Sequence, residues 1–218
     1  GKRYAIANRT DGSGYERATR WVADVAIPVT HRSHALERGR VVAAQALGYV
    51  PSQRPDFGLD AHLTSQPALK RQVVFVHGTS RADKEWPLSH WVELGQRLQQ
   101  AGYSVALTHG NPHEQQRAEW LAHALPGSEV WPTLSLDQVA QRMAQSFGVI
   151  GVDSGLSHIA VALDLPHVQI YNFDTAWRTG PMHTPHQLSV FAQPTPTLEQ
   201  VWQAWQTCSM QQMPEAQA

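Results

Sequence analysis

The stretch Phe147-Gly148-Val149-Ile150-Gly151-Val152-Asp153-Ser154-Gly155-Leu156-Ser157-His158 decides the reading of this chain. Its first half is a short apolar run, which reads as a buried strand. From Leu156 onward the apolar residues Leu156, Ile159, Ala160 and Leu163 recur at helical spacing. A strand that ends in Asp-Ser-Gly and turns straight into a helix presents unpaired backbone N–H groups at the positive end of the helix dipole. Such a turn is an anion site, most often for phosphate. Turn and cap chemistry accounts for Ser154 and Gly155, but it does not call for Asp153 and His158 as well. Those two suit a polar substrate bound beside the phosphate.

Working outward, the same alternation continues on both sides. Val73 to Val76 reads as a buried strand, Pro87 to Ala101 as a helix ended by Gly102, and Ser104 to Leu107 as the next strand. Pro112 to Leu125 reads as a helix, Glu129 to Trp131 as a short strand and Leu136 to Gln145 as a helix. Val168 to Tyr171 and Leu188 to Phe191 read as strands, and Leu198 to Trp205 as a last helix. Strands alternating with helices give an α/β protein with a doubly wound, Rossmann-like parallel sheet covered on both faces. Ligands of such sheets bind outside the carboxyl ends of the strands. The first 50 or so residues hold less: a strand from Asp24 to Val29 and a helix from Ser33 to Leu47, with Ser33 as its cap and Gly48 as its end. That is too little for a core of its own. Pro51 to Asp60 reads as a linker.

Composition narrows the classes. The chain has 218 residues, 42% of them hydrophobic and 16% charged, with a net charge of −1. This balance gives no reason to expect bulk nucleic-acid binding. A lone cysteine, Cys208, excludes a disulfide framework within the chain. No apolar run approaches the roughly 20 residues of a membrane span. The sequence lacks a P-loop, a G-x-S-x-G elbow and an H-E-x-x-H zinc motif, so none of these motifs calls for a metal or cofactor.

Two further strand ends carry candidate residues. After Val76 come His77-Gly78-Thr79-Ser80-Arg81-Ala82-Asp83-Lys84-Glu85-Trp86. Thr79 and Ser80 offer hydroxyls, and Lys84 a compact cation suited to phosphate. The same residues also fit an ordinary polar loop. After Leu107 come Thr108-His109-Gly110-Asn111-Pro112-His113-Glu114. Glu114 is either a first-turn acid favoured by the helix dipole or a carboxylate for ribose hydroxyls. Arg32, Arg38 and Arg40 lie around one helix; a solvated face explains them, and an anionic acceptor is the sharper alternative. His183 and His186 read as surface residues.

At these positions the chain resembles the lipopolysaccharide heptosyltransferases of glycosyltransferase family 9. The matching stretches are His77 to Pro87, Gly110 to Glu114, Leu134-Ser135-Leu136, and Val152 to His158. The resemblance covers roughly Arg71 to Trp205 and extends weakly back to His34 to Arg38. It implies the GT-B architecture, here its carboxy-terminal half with a remnant of the amino-terminal domain. Residues 1–66 would be that remnant of the acceptor-binding domain plus linker, and residues 67–218 the nucleotide-sugar domain. It implies inverting, metal-independent transfer of L-glycero-D-manno-heptose from ADP-heptose to Kdo on lipid A. Thr79, Ser80 and Lys84 would meet the donor diphosphate and sugar, and Glu114 the ribose. Leu134 would line the adenine pocket. Asp153 would hold heptose hydroxyls, Ser154 and Gly155 the diphosphate, and His158 would lie near the transferred sugar. Lys84 and Asp153 would be the catalytic pair. Ser80 stands where the family pattern has threonine, and the glycine-rich loop and aspartate of the family's amino-terminal domain have no counterpart here. The resemblance implies a cytoplasmic protein, with work at the inner membrane's cytoplasmic face left open. Two alternatives remain: a truncated, non-catalytic nucleotide-sugar module, and another GT-B enzyme such as a nucleotide-sugar epimerase.

Overall fold

The computed structural model describes residues 1–12, 18–59, 70–182 and 184–210. The chain divides into two compact units, one of residues 1–56 with 177–179, the other of residues 57–176 with 180–218. The expected boundary near residue 66 falls outside the described residues.

In the first unit, β1 (Tyr4–Ile6) pairs in parallel with β2 (Val25–Ile27). The short α1 (Thr19–Val22) lies between them in sequence. β2 is thus shorter than the expected strand, and β1 has too few apolar residues to show in a periodicity. The following α2 (Ala35–Leu47) ends at Gly48, whose φ of 74° is the left-handed turn that favours glycine. Ser33 does not cap it. His34 does, its Nδ1 accepting from the Leu36 amide at 3.2 Å, while the Ser33 hydroxyl donates to the Thr30 carbonyl. Among the described residues of this unit, the buried apolar side chains are Ile27 and Ala44, so little core forms here.

The second unit is a six-stranded, all-parallel sheet in the order β5-β4-β3-β6-β7-β8. Its strands are β3 (Lys70–Val76), β4 (Ser104–Leu107), β5 (Glu129–Val130), β6 (Ser146–Val152), β7 (His167–Tyr171) and β8 (Gln187–Phe191). The helices are α3 (Leu88–Gln100), α4 (Pro112–Ala124), α5 (Leu136–Ala144), α6 (Gly155–Ala162), a single turn α7 (Ala176–Thr179) that runs into the first unit, and α8 (Leu198–Met210). α8 runs past the expected end at Trp205, burying Cys208 on the face that holds Val201 and Trp205. Burial follows the strand alternation. Val73 and Phe75 pack with Trp91, Leu94, Leu98, Leu121, Val201 and Trp205 on one face. Val74 and Val76 pack with Trp131, Val139, Met143 and Ala160 on the other. Both faces are covered, which is why the strands read as unbroken apolar runs.

The chain moves from β3 outward to β4 and β5, then returns to β6 and moves outward the other way. The order therefore reverses between β3 and β6. Val76 pairs with Gly151, so the two strands end level and their loops emerge side by side. This switch point is where an open α/β sheet forms its ligand crevice.

Candidate active site

The sequence-predicted donor-site residues lie in the second unit, and most of them flank the switch point. The turn from β6 into α6 is held by close packing. The Ser157 hydroxyl donates to the Val152 carbonyl at 2.7 Å. A Cβ on Gly151 would stand 2.4 Å from that hydroxyl oxygen and 2.8 Å from Cβ of Val76, so only glycine fits. Ser154 occupies the cap position of α6, yet its hydroxyl makes no cap bond. Its Oγ is buried with no partner among the described residues. In front of Gly155 the space is open, because a Cβ there would meet nothing within 4 Å. The first-turn amides of α6 have no acceptor within the helix itself.

The loop after β3 brings a cation to this turn. Lys84 closes a short 3-10 turn, Ala82–Lys84, and its Nζ lies 2.6 Å from Oδ2 of Asp153. The Lys84 and Asp153 side chains are 21% and 9% exposed, so the pair is largely withdrawn from water. The Thr79 hydroxyl donates to the Asp153 backbone carbonyl at 3.2 Å, tying the two loops together. Ser80 is exposed beside it. His158 lies one turn along α6. Partial desolvation pushes its pKa down; the Asp153 charge opposes the shift and the Lys84 charge adds to it.

Glu114 comes to the same edge from α4. Asn111 caps that helix by accepting from the Glu114 amide at 2.9 Å, and a Glu114 carboxylate oxygen accepts from the Gly110 amide at 2.7 Å. The end-of-helix reading is thus correct in part. The side chain also lies directly over Gly78, where a Cβ would stand 2.5 Å from Cδ of Glu114. Gly78 is therefore a place of close approach between the β3 loop and this carboxylate. Leu134 is half-buried and packs against the sheet face that holds Val74, Val76 and Trp131.

Sequence reasoning missed several supports. Arg117 of α4 pairs with Glu85, immediately after Lys84, at 2.8 Å, with side chains 14% and 20% exposed. Trp86 donates from its buried indole to the Pro196 carbonyl at 2.8 Å. Asn172, at the end of β7, donates to the carbonyls of Asp83 and Glu85. His77, at the end of β3, is fully buried and makes no well-formed hydrogen bond beyond a weak one with the Thr108 backbone. Burial first, then the Arg117 charge, lowers its pKa to about 4. These partners lie tens of residues apart, so no local spacing announces them.

The basic residues around α2 are engaged locally. Arg38 donates to Thr10, Arg40 pairs with Glu37 and reaches Ser52, and Arg32 lies over the Trp177 ring. Of the two loop histidines, His186 is a half-buried partner of Asp164 at 2.8 Å rather than a free surface residue, and His183 lies outside the described residues. No group of three or more His, Cys, Asp or Glu among the described residues is arranged to hold a metal ion, and no described helix is long and apolar enough to cross a membrane.

Comparison with known proteins bears on the family and the fold. Residues 4–205 match the model of "Glycosyltransferase family 9 (heptosyltransferase)". Lipopolysaccharide heptosyltransferase 1 of Escherichia coli is 40% identical over 146 residues, 66% of this chain and 46% of that protein. The protein of the same name from Pseudomonas aeruginosa is 40% identical over 157 residues, 71% of this chain and 44% of that protein. The chain thus spans about half the length of the curated relatives it matches. The solved structure of E. coli heptosyltransferase WaaC with ADP superposes with a TM-score of 0.78 at 31% identity, covering 89% of this chain and 63% of that one. E. coli ADP-heptose lps heptosyltransferase II shares the fold, with a TM-score of 0.67 at 20% identity. Both of these structures are GT-B glycosyltransferases. On its own family match over nearly the whole of its length, this chain belongs to glycosyltransferase family 9, the heptosyltransferases.

Proposed function

We propose that the second unit is the donor-binding half of a heptosyltransferase, which moves L-glycero-D-manno-heptose from ADP-heptose to Kdo of the lipopolysaccharide inner core with inversion. The observation that carries this reading is the Lys84–Asp153 pair at the switch point, beside the open first turn of α6. A diphosphate seated on the Ser154 and Gly155 amides would lie against the helix dipole. As the acceptor hydroxyl attacks the anomeric carbon and the bond to ADP breaks, negative charge grows on the departing diphosphate. Lys84 and those amides are fixed where that charge develops, which is the arrangement that lowers such a barrier. Asp153, held by Lys84 and Thr79, presents its second oxygen to sugar hydroxyls. Glu114 serves the ribose, and Leu134 with its neighbours the adenine. His158 lies near the transferred sugar. The reading needs no metal. Its setting is the cytoplasm, at the inner-membrane face where a lipid-linked acceptor would be met.

Titration calorimetry tests this on the chain itself. We expect ADP-heptose to bind at least tenfold more tightly than UDP-N-acetylglucosamine, with unchanged affinity in EDTA. Equal affinities, or the reverse order, would favour the epimerase-like alternative. Binding that requires a divalent ion would remove the metal-independent step.

A further inference from the structure

Lys84 is on a loop, at the end of a long flexible side chain, yet its ammonium must sit within a fraction of an ångström of its place to serve a diphosphate. Something must hold the backbone beneath it. The Ala82–Lys84 turn itself supplies two hydrogen bonds, from the Lys84 amide to the Arg81 carbonyl and from the Glu85 amide to the Ala82 carbonyl. A turn this short is not rigid alone. Asn172 answers the need from the far side of β6. Its side-chain nitrogen donates to the Asp83 carbonyl and to the Glu85 carbonyl, each at 3.0 Å, so one amide spans Lys84 on both sides. Its side-chain oxygen accepts from the Thr195 hydroxyl at 2.7 Å. Two carbonyl acceptors on one side and a hydroxyl donor on the other leave a single orientation for the amide group. Asn172 is only 8% exposed, and this network accounts for both amide hydrogens and the oxygen.

We propose that Asn172, oriented by Thr195, is a positioning residue for Lys84. It fixes the carbonyls before and after Lys84 and thereby places the ammonium beside Asp153 and the first turn of α6. The inference rests on the donor-site reading above. A neutral amide suits the task, since a carboxylate there would repel the two carbonyls. The downstream side of the loop has other anchors, Trp86 on Pro196 and Arg117 on Glu85, so loss of Asn172 should loosen the Lys84 turn without releasing the whole loop.

The test compares Asn172→Ala and the milder Thr195→Val, each alone and in a Lys84→Ala background. Calorimetry would follow ADP and adenosine, with thermal melting as the check on folding. We expect Asn172→Ala to weaken ADP three- to tenfold and Thr195→Val about two- to threefold. Adenosine affinity should stay within twofold, and neither variant should weaken ADP further once Lys84 is gone. A ligand-free readout runs beside it: amine acylation of Lys84 relative to the exposed Lys70, by mass spectrometry. Asn172→Ala should raise that ratio at least twofold. Equal losses for ADP and adenosine, the same loss without Lys84, or unchanged ADP affinity and unchanged acylation would overturn the proposal. Should Asn172→Ala fail to fold, Thr195→Val decides by the same criteria. If the unsubstituted chain does not bind ADP, the donor-site reading fails, and the acylation ratio still judges the positioning of Lys84. If it binds ADP and needs Lys84 but not Asn172, only this inference fails.

Discussion

Removing the Lys84 ammonium should have two separable effects. The first is on stability. Breaking a fully buried ion pair by deleting one partner costs about 3–5 kcal/mol, whereas an exposed pair contributes about 0–1. With side chains 21% and 9% exposed, the Lys84–Asp153 pair lies between these limits. Lys84→Ala strands Asp153, so a loss of about 1–3 kcal/mol follows, or roughly 2–12 °C in Tm for a chain of this size. Asp153→Asn should cost less, because Lys84 is the more exposed partner and can turn to water. The second effect is on binding. An ammonium has three donors and the Asp153 bond uses one, so a diphosphate can join without breaking the pair. A charge-assisted hydrogen bond contributes about 1.5–3 kcal/mol, which is roughly 10- to 150-fold in affinity. ADP should therefore weaken by that factor in Lys84→Ala, while adenosine, which has no phosphate, stays within about twofold. Calorimetry with both ligands, at a temperature where melting shows the variant folded, measures the difference. Equal loss for ADP and adenosine would refute the phosphate role and leave Lys84 a purely structural partner of Asp153.

Two other perturbations probe separate parts of the account. Gly78→Ala would put a Cβ 2.5 Å from Cδ of Glu114, forcing that side chain off the β3 loop and away from Gly110. ADP and adenosine should then weaken together by about three- to tenfold, the worth of one to two hydrogen bonds; loss confined to ADP in calorimetry would contradict a ribose role for Glu114. Burial lowers the pKa values of His77 and His167 from 6.5 to about 4, so the unfolded chain binds protons below pH 6.5 that the folded chain refuses. The stability these neutral rings contribute is therefore complete above about pH 6.5 and is lost as pH falls towards 4, by up to about 3 kcal/mol each. Urea unfolding at a series of pH values should show that slope, reduced by about one proton in His77→Gln; a flat profile would show that these rings ionise in the fold as they do in water.

The sheet was legible because each of its central strands is apolar on both faces, and Val73 to Val76 and Phe147 to Val152 are short runs that a parallel sheet explains. The Asp153-Ser154-Gly155 turn was legible because strand, turn and helix are contiguous there. The first unit was harder to read. β1 spans three residues, and the choice between Ser33 and His34 as the cap of α2 depends on which side chain turns back to an amide, not on residue type. The Lys84–Asp153 pair joins residues 69 apart, and Asn172 reaches 87 and 89 residues back to its acceptors. Both follow from β3, β6 and β7 lying side by side, which the strand order decides and local sequence does not. Trp86, Trp91 and Arg117 likewise look like ordinary helix and loop residues until the sheet places their partners.

The most direct test of the donor-site account is to titrate ADP and adenosine separately into the isotope-labelled chain and follow its backbone amide resonances by NMR. ADP should shift Ser154, Gly155 and the Lys84 turn most strongly, with saturation at one equivalent. Adenosine should move resonances near Glu114 and Leu134 while leaving Ser154 and Gly155 in place. Saturable ADP binding with its largest shifts elsewhere, or Ser154 and Gly155 amides that respond equally to adenosine, would contradict the claim that this turn holds the diphosphate.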